Sequence, residues 1–290
     1  TTYSLAAALD TLNSRNLTGN LTINNLATLT TTASNYNIDC VNLTVGSGGT
    51  LTANASTVSL SGNWSNSGTF TAGTSTVTFN ASLGTTQTVG SNSNAFNVIS
   101  HSSTGAIQLT DALTAVDLNI TSGTFDANGQ NISVSGNWNF SGGTFSAGGT
   151  PGSQTVNIIG TTETIFSGNT TFNILVINTT NYGAKSVKFT ASSNQTIPNS
   201  GSLTLTGAAD KTLTLDRSGG SGTDQWTITL PTNLAGNIFT AGTNITVSNS
   251  NAVNATVTPS SYVTVVAGAG GNNTGWDFDT TAPVITLTAS

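Results

Sequence analysis

Charge is what this chain has least of. Only 6% of its 290 residues are Asp, Glu, Lys or Arg, against about a quarter in an ordinary soluble domain. Five are basic, Arg15, Lys185, Lys188, Lys211 and Arg217, in a chain of net charge −6. No basic face exists to neutralise phosphates, which excludes nucleic acid as a partner. Long apolar runs are missing too, since nothing approaches the roughly 18 consecutive apolar residues of a membrane-spanning helix. Cysteine occurs once, at Cys40, which excludes an internal disulfide framework. In "NIDCVNLTV" it reads as a small buried hydrophobe, with an intermolecular bridge as the alternative. Methionine is absent altogether, and no basic-then-apolar segment opens the chain. The expectation is a processed piece, as of a secreted protein whose signal has been removed.

Ser, Thr, Asn and Gly fill the space, making 159 of the 290 residues. A polar chain of low charge invites disorder, but disordered chains are poor in β-branched residues, and here Val, Ile and Thr recur in alternation. They suit a pleated surface, whereas helix formers are scarce beyond the first fifteen residues. The fold reads as nearly all β.

The exception is "YSLAAALDTLNS". Leu5, Ala8, Leu9 and Leu12 fall at i, i+3, i+4 and i+7, and Ser4 can cap the start, which predicts one short amphipathic helix over 3–14. From "LTGNLTI" onward the period is two: Leu21 and Ile23, Leu43 and Val45, Val58 and Leu60, Val77 and Phe79 each alternate apolar and polar. "GSGG", "SGN", "TSG" and "SGGSG" between them are turn formers.

"SGNWSNSGTFTAG" at Ser61 returns as "SGNWNFSGGTFSAG" at Ser135, with Gly62 and Gly136 74 positions apart. The match runs from Val41 and Val116 through "GTTQTV" and "GTTETI". Repetition on this scale marks solenoids, propellers or arrays. A period of about 75 divides into roughly three turns of about 25, near the repeats that solenoids stack. These features predict a right-handed parallel β-helix of about ten coils over 16–279. A capping helix over 1–15 precedes it, and an extending strand or the start of a further domain over 280–290 follows. Tandem β-sandwiches are the alternative. Trp64 and Trp138 then recur as core residues of equivalent coils, or else as exposed platforms on which sugars stack.

The helix "SLAAALDTLNS" followed by "LTGNLTI" resembles the capped start of pectate-lyase-like parallel β-helices. The unit "GNWSNSGTFTAGTSTVTFN" and the closing "NNTGWDFDTTAPVITLT" resemble the repetitive passenger regions of large prokaryotic surface proteins and adhesins. That resemblance implies cell-surface structure or adhesion. Pectate-lyase-like enzymes hold calcium with clustered acids and use a nearby basic residue as base. Here Asp111, Asp117 and Asp126 are close in order, yet no Lys or Arg falls between Arg15 and Lys185.

Other chemistry is sparse. Paired carboxylates for glycoside hydrolysis would have to come from stacking Asp117 or Asp126 near other acids. His101, the one histidine, reads as a surface or turn residue. No GxSxG, HExxH or GxxxxGK[ST] occurs. Asp277 and Asp279 alternate with Phe278 and would share one strand face, a weak calcium pair. Asp210, Lys211, Asp216, Arg217 and Asp224 read as a solvated loop or a subunit contact. Thr-x-Thr runs such as "TLTTTAS" suggest ice binding, which wants a regular threonine array, and the irregular spacing along the chain speaks against it.

The expectation is a non-enzymatic, extracellular structural protein of a prokaryotic cell surface. It has no cofactor and pairs with copies of itself head to tail through Val284, Ile285, Thr286, Leu287 and Thr288, as donor strands do. The alternative is an adhesin stalk or a carbohydrate-binding or carbohydrate-cleaving module facing cell-surface or host glycans.

Overall fold

The computed structural model describes residues 2–5, 10–11, 15–31, 35–80, 82–150, 153–208, 210–231, 239–241, 244–253 and 272–274. Each short alternation forms a strand of two to eight residues. Its apolar members point inward, and its register places like on like: Leu21, Leu43 and Trp64 are successive partners, and so are Val58, Val77, Ile99 and Leu118. All strand pairings are parallel and join one coil to the next, which makes an all-β parallel β-solenoid of about ten turns. Two sheets face to face, as in a sandwich, do not occur among the described residues.

Each coil has three walls. The first carries Asn20–Ile23, Leu43–Val45, Trp64–Asn66 and Thr86–Gly90 in succession; the second carries Thr28–Thr30, Thr50–Thr52 and Thr69–Thr71; the third carries Ile38–Cys40, Thr57–Leu60, Thr76–Phe79 and Phe96–His101. Coil length varies from 18 residues, Thr2 to Asn20, to 36, Leu203 to Phe239. Corners absorb the difference, so the registers stay intact. The inward residues from Leu17 to Ala252 form one continuous cluster, most of them 0–2% exposed. Each such Leu, Ile, Val or Phe contributes about 1.5–3 kcal/mol by leaving water.

Two walls are interrupted. Thr69–Thr71 ends the first run of the second wall. There the Phe70 N–H donates to the Asn94 side-chain oxygen at 2.9 Å instead of to a strand. The wall resumes within the long strand Leu113–Ile120, whose first half pairs with Ile132–Val134 and second half with Trp138–Asn139. The first wall stops at Thr144–Ser146 and restarts at Thr170–Thr171 as a separate ladder. Among the described residues only the third wall is paired without a gap, from Arg15–Asn16 to Ile245–Val247.

The repeat does not return to its starting wall. Trp64 lies in the first wall, where three coils further on stands Thr124–Asp126. Trp138 lies two strands beyond that, in the third wall. The 74-residue offset is thus three coils and two walls, and the recurring unit reads as single walls rather than whole coils.

At its described residues the expected helix over 3–14 does not form. Thr2–Leu5 is a strand paired with Asn20–Ile23, and Asp10–Thr11 pairs with Leu29 and Thr30; the residues between and after them lie outside the described residues. A helix of a dozen residues is marginal alone, whereas a strand there takes up the open edge of Asn20–Ile23. The terminal strand at Val284, Ile285, Thr286, Leu287 and Thr288 lies outside the described residues.

Candidate functional site

The recurring tryptophans are interior. Trp64 is 1% exposed and Trp138 0%, so neither offers a face to a sugar, and their exposed-platform reading is withdrawn. Trp64 packs edge-on to Phe70 at 4.7 Å and beside Phe96 at 5.1 Å. Trp138 starts a stacked column through Phe166 at 6.3 Å, then Phe189 at 5.0 Å, then Trp226 at 4.0 Å. Its indole N–H donates to Thr170 Oγ1 at 3.1 Å, whereas that of Trp64 has no partner among the described residues.

What the repeat conserves is the corner before each tryptophan. The Asn63 N–H donates to Asn42 Oδ1 at 2.6 Å, and Asn63 Oδ1 accepts from the Thr88 N–H at 2.8 Å. In the second copy the Asn137 N–H donates to Asp117 Oδ1, and Asn137 Oδ1 accepts from the Ile165 N–H at 3.0 Å. Gly62 and Gly136 precede these residues because no side chain fits there. A Cβ would stand 2.2 Å from Asn42 Oδ1 in one copy and 2.3 Å from Asp117 Oδ1 in the other.

The acids serve the same purpose. Asp111 accepts from the Ser91 and Asn92 N–H groups at 2.7 and 2.6 Å. Asp126 accepts from Gln108 Nε2 and the Asn128 N–H, both at 2.9 Å. Asp117 is on the third wall and Asp126 on the first, so stacking does not bring them together. Among the described residues no three His, Cys, Asp or Glu side chains converge as metal ligands. Asp277 and Asp279 lie outside the described residues. In the charged cluster, Arg217 Nη1 donates to the Asp224 carbonyl at 2.7 Å and Asp224 Oδ2 accepts from the Ser221 N–H at 3.0 Å, a self-contained turn.

His101 is buried, contrary to the surface position its sequence neighbourhood suggests. Strand alternation turns it inward between its partners Phe79 and Ile120. Backbone carbonyls meet both ring nitrogens, Phe79 O at 2.7 Å from Nδ1 and Gly105 O at 3.2 Å from Nε2. With both nitrogens facing structure, the ring has none aimed at a substrate.

Lys185 is the residue that sequence reasoning missed. It is 2% exposed, and Nζ donates to the carbonyls of Thr162 at 2.6 Å, Ile159 at 2.9 Å and Ser135 at 3.3 Å. Burial pushes its ammonium down to about 8, while three carbonyls hold the three protons of the charged form. The lysine ties its coil to the preceding ones. Its only sequence signal is its place in the inward phase of "KSVKFT", with Val187 and Phe189. Lys188, in the outward phase, pairs with Glu163 at 2.9 Å. The contact lowers the Glu163 carboxyl and raises the Lys188 ammonium.

An open groove of about 670 Å3 runs along the corners Asn139–Gly143, Ser167–Asn169 and Thr190–Ser193. It has no charged lining residue, and Phe140, its one aromatic, is 2% exposed. Compared with protein-family models, curated proteins and solved structures, the chain matches none.

Proposed function

We propose that this chain is a non-enzymatic structural spar of a prokaryotic cell surface, built to hold a length rather than to turn over a substrate. One observation carries the reading: a single core runs through about ten parallel coils. The polar groups that elsewhere make active sites are here engaged in corners. Asp111, Asp117 and Asp126 accept backbone N–H groups, and both nitrogens of His101 face carbonyls. An extracellular setting agrees with the single buried Cys40 and the Ser, Thr and Asn surface.

Head-to-tail assembly is supported by a general property of parallel stacks, whose end coil presents a row of unpaired N–H and C=O groups. The segment Val284–Thr288, "VITLT", alternates as an added strand must. Contacts of this head-to-tail kind give open filaments. Electron microscopy of the purified chain is the test. Filaments are expected from the full chain and none from a variant lacking residues 282–290 whose far-UV circular dichroism is unchanged. Polymers from the shortened chain, or monomers from both, would overturn the assembly. A glycan panel read by binding separates the adhesin alternative.

A further inference from the structure

We infer that the second wall of coils two to four is an ice-binding face. This reading is independent of filament assembly. Three strands make it, Thr28–Thr30, Thr50–Thr52 and Thr69–Thr71, reading TLT, TLT and TFT. The chain separation of successive threonines is uneven, 22 residues and then 19, yet the register removes the difference: Thr28 pairs with Thr50 and Thr50 with Thr69, while Thr30 pairs with Thr52 and Thr52 with Thr71. Two columns of three threonines result. Leu29, Leu51 and Phe70 between the columns are buried, which turns every threonine but the buried Thr30 outward.

The repeat is rectangular. Along a strand the two columns are about 6.6 Å apart, and between coils the rungs are about 4.8 Å apart. Both spacings lie near repeats of the oxygen lattice of ice. Every position carries the same side chain, a hydroxyl beside a methyl on a β-branched, rotationally stiff stem. Such a side chain can hold water in one arrangement instead of many. Thr28, Thr50, Thr52, Thr69 and Thr71 make no side-chain hydrogen bond to protein among the described residues. Thr30 is 6% exposed and accepts from Asn54 Nδ2 at 3.4 Å, so it closes one edge of the array. By contrast the outward asparagines at the corner of the neighbouring wall, Asn20, Asn42 and Asn63, are bonded to one another or to backbone. Other walls mix residue types at the equivalent places: on the third, Thr57 pairs with Thr76 and then Val98. None of the three strands carries a charge, so nothing there holds water in a competing pattern.

Inhibition of ice recrystallisation, with thermal hysteresis as a second readout, tests the face on the whole chain. The unsubstituted protein is expected to be active, and Thr50→Lys with Thr52→Lys, in the central rung, to abolish activity. Ser59→Lys with Ser100→Lys, on the third wall, should leave it intact. Circular dichroism and thermal midpoint establish that each variant is folded. If the lysine pair does not fold, Thr50→Ser with Thr52→Ser removes two methyls without adding bulk, and activity is still expected to fall. An inactive unsubstituted protein overturns the inference. So does an active array variant, or equal loss from the third-wall control.

Discussion

Single residues in this molecule are placed by what the neighbouring coil offers them. Cys40 is 6% exposed, and its thiol is pushed up to about 12, first by burial and then by the negative charge of Asp39. A thiolate is the reactive form. The native protein is therefore expected to resist a thiol reagent such as dithionitrobenzoate at neutral pH and to react only once denatured; rapid native labelling would refute the burial. Lys185 makes a stronger claim. Lys185→Ala leaves three interior carbonyls without a donor, and a loss on the order of 3 kcal/mol is expected in chemical denaturation. The pH dependence has a definite sign. The native ammonium titrates at about 8 against 10.5 for the free group. Between those values the unfolded chain retains a proton that the native chain has released, so stability climbs as pH rises through that window and is flat below it. The carbonyl cage tempers the climb, and Lys185→Met removes it.

Elements are defined at their corners more than in their strands. Gly136→Ala drives a Cβ against Asp117 Oδ1 and within 3.1 Å of the Val116 carbonyl, so the corner must open. A thermal unfolding comparison is expected to show destabilisation of about 1–3 kcal/mol, and Gly62→Ala should behave alike. Strand content was legible from the sequence because alternation is a local signal: Leu43 and Val45, or Val77 and Phe79, declare their phase unaided. Stacking was legible from the repeat. Four things were not. The helix predicted from Leu5, Ala8, Leu9 and Leu12 gives way to strands at both described segments, since the edge that receives them, Asn20–Ile23 and Leu29–Thr30, belongs to the next coil and cannot be seen in twelve residues. His101 reads as a surface residue because the carbonyls of Phe79 and Gly105 that receive it are a tertiary fact. The threonine columns look irregular along the chain because register, not spacing, aligns Thr28, Thr50 and Thr69. Trp64 and Trp138, both preceded by Ser-Gly-Asn, stand in different walls, and a repeat length alone does not reveal a shift of two walls.

At the scale of the whole molecule, stability is nearly one-dimensional, because each coil packs chiefly on its neighbours, with Lys185 reaching one coil further to the Ser135 carbonyl. Trp138→Ala removes a ring that stacks on Phe140 and Phe166 and edges Phe145, a change that costs about 3–5 kcal/mol. Hydrogen exchange is expected to accelerate in the coils holding Leu118 and Phe166, while protection at Leu21–Val45 is unchanged. Uniform loss of protection along the chain would contradict this picture and indicate one cooperative unit.

The uninterrupted third wall has a mechanical corollary. A pull along the axis divides unequally among three ladders when two of them are discontinuous, near Phe70 and between Ser146 and Thr170. At each of those levels two ladders are left to carry the load, the third wall among them both times, so the spar should flex about that wall, as a book turns about its spine, and should rupture first at the two seams.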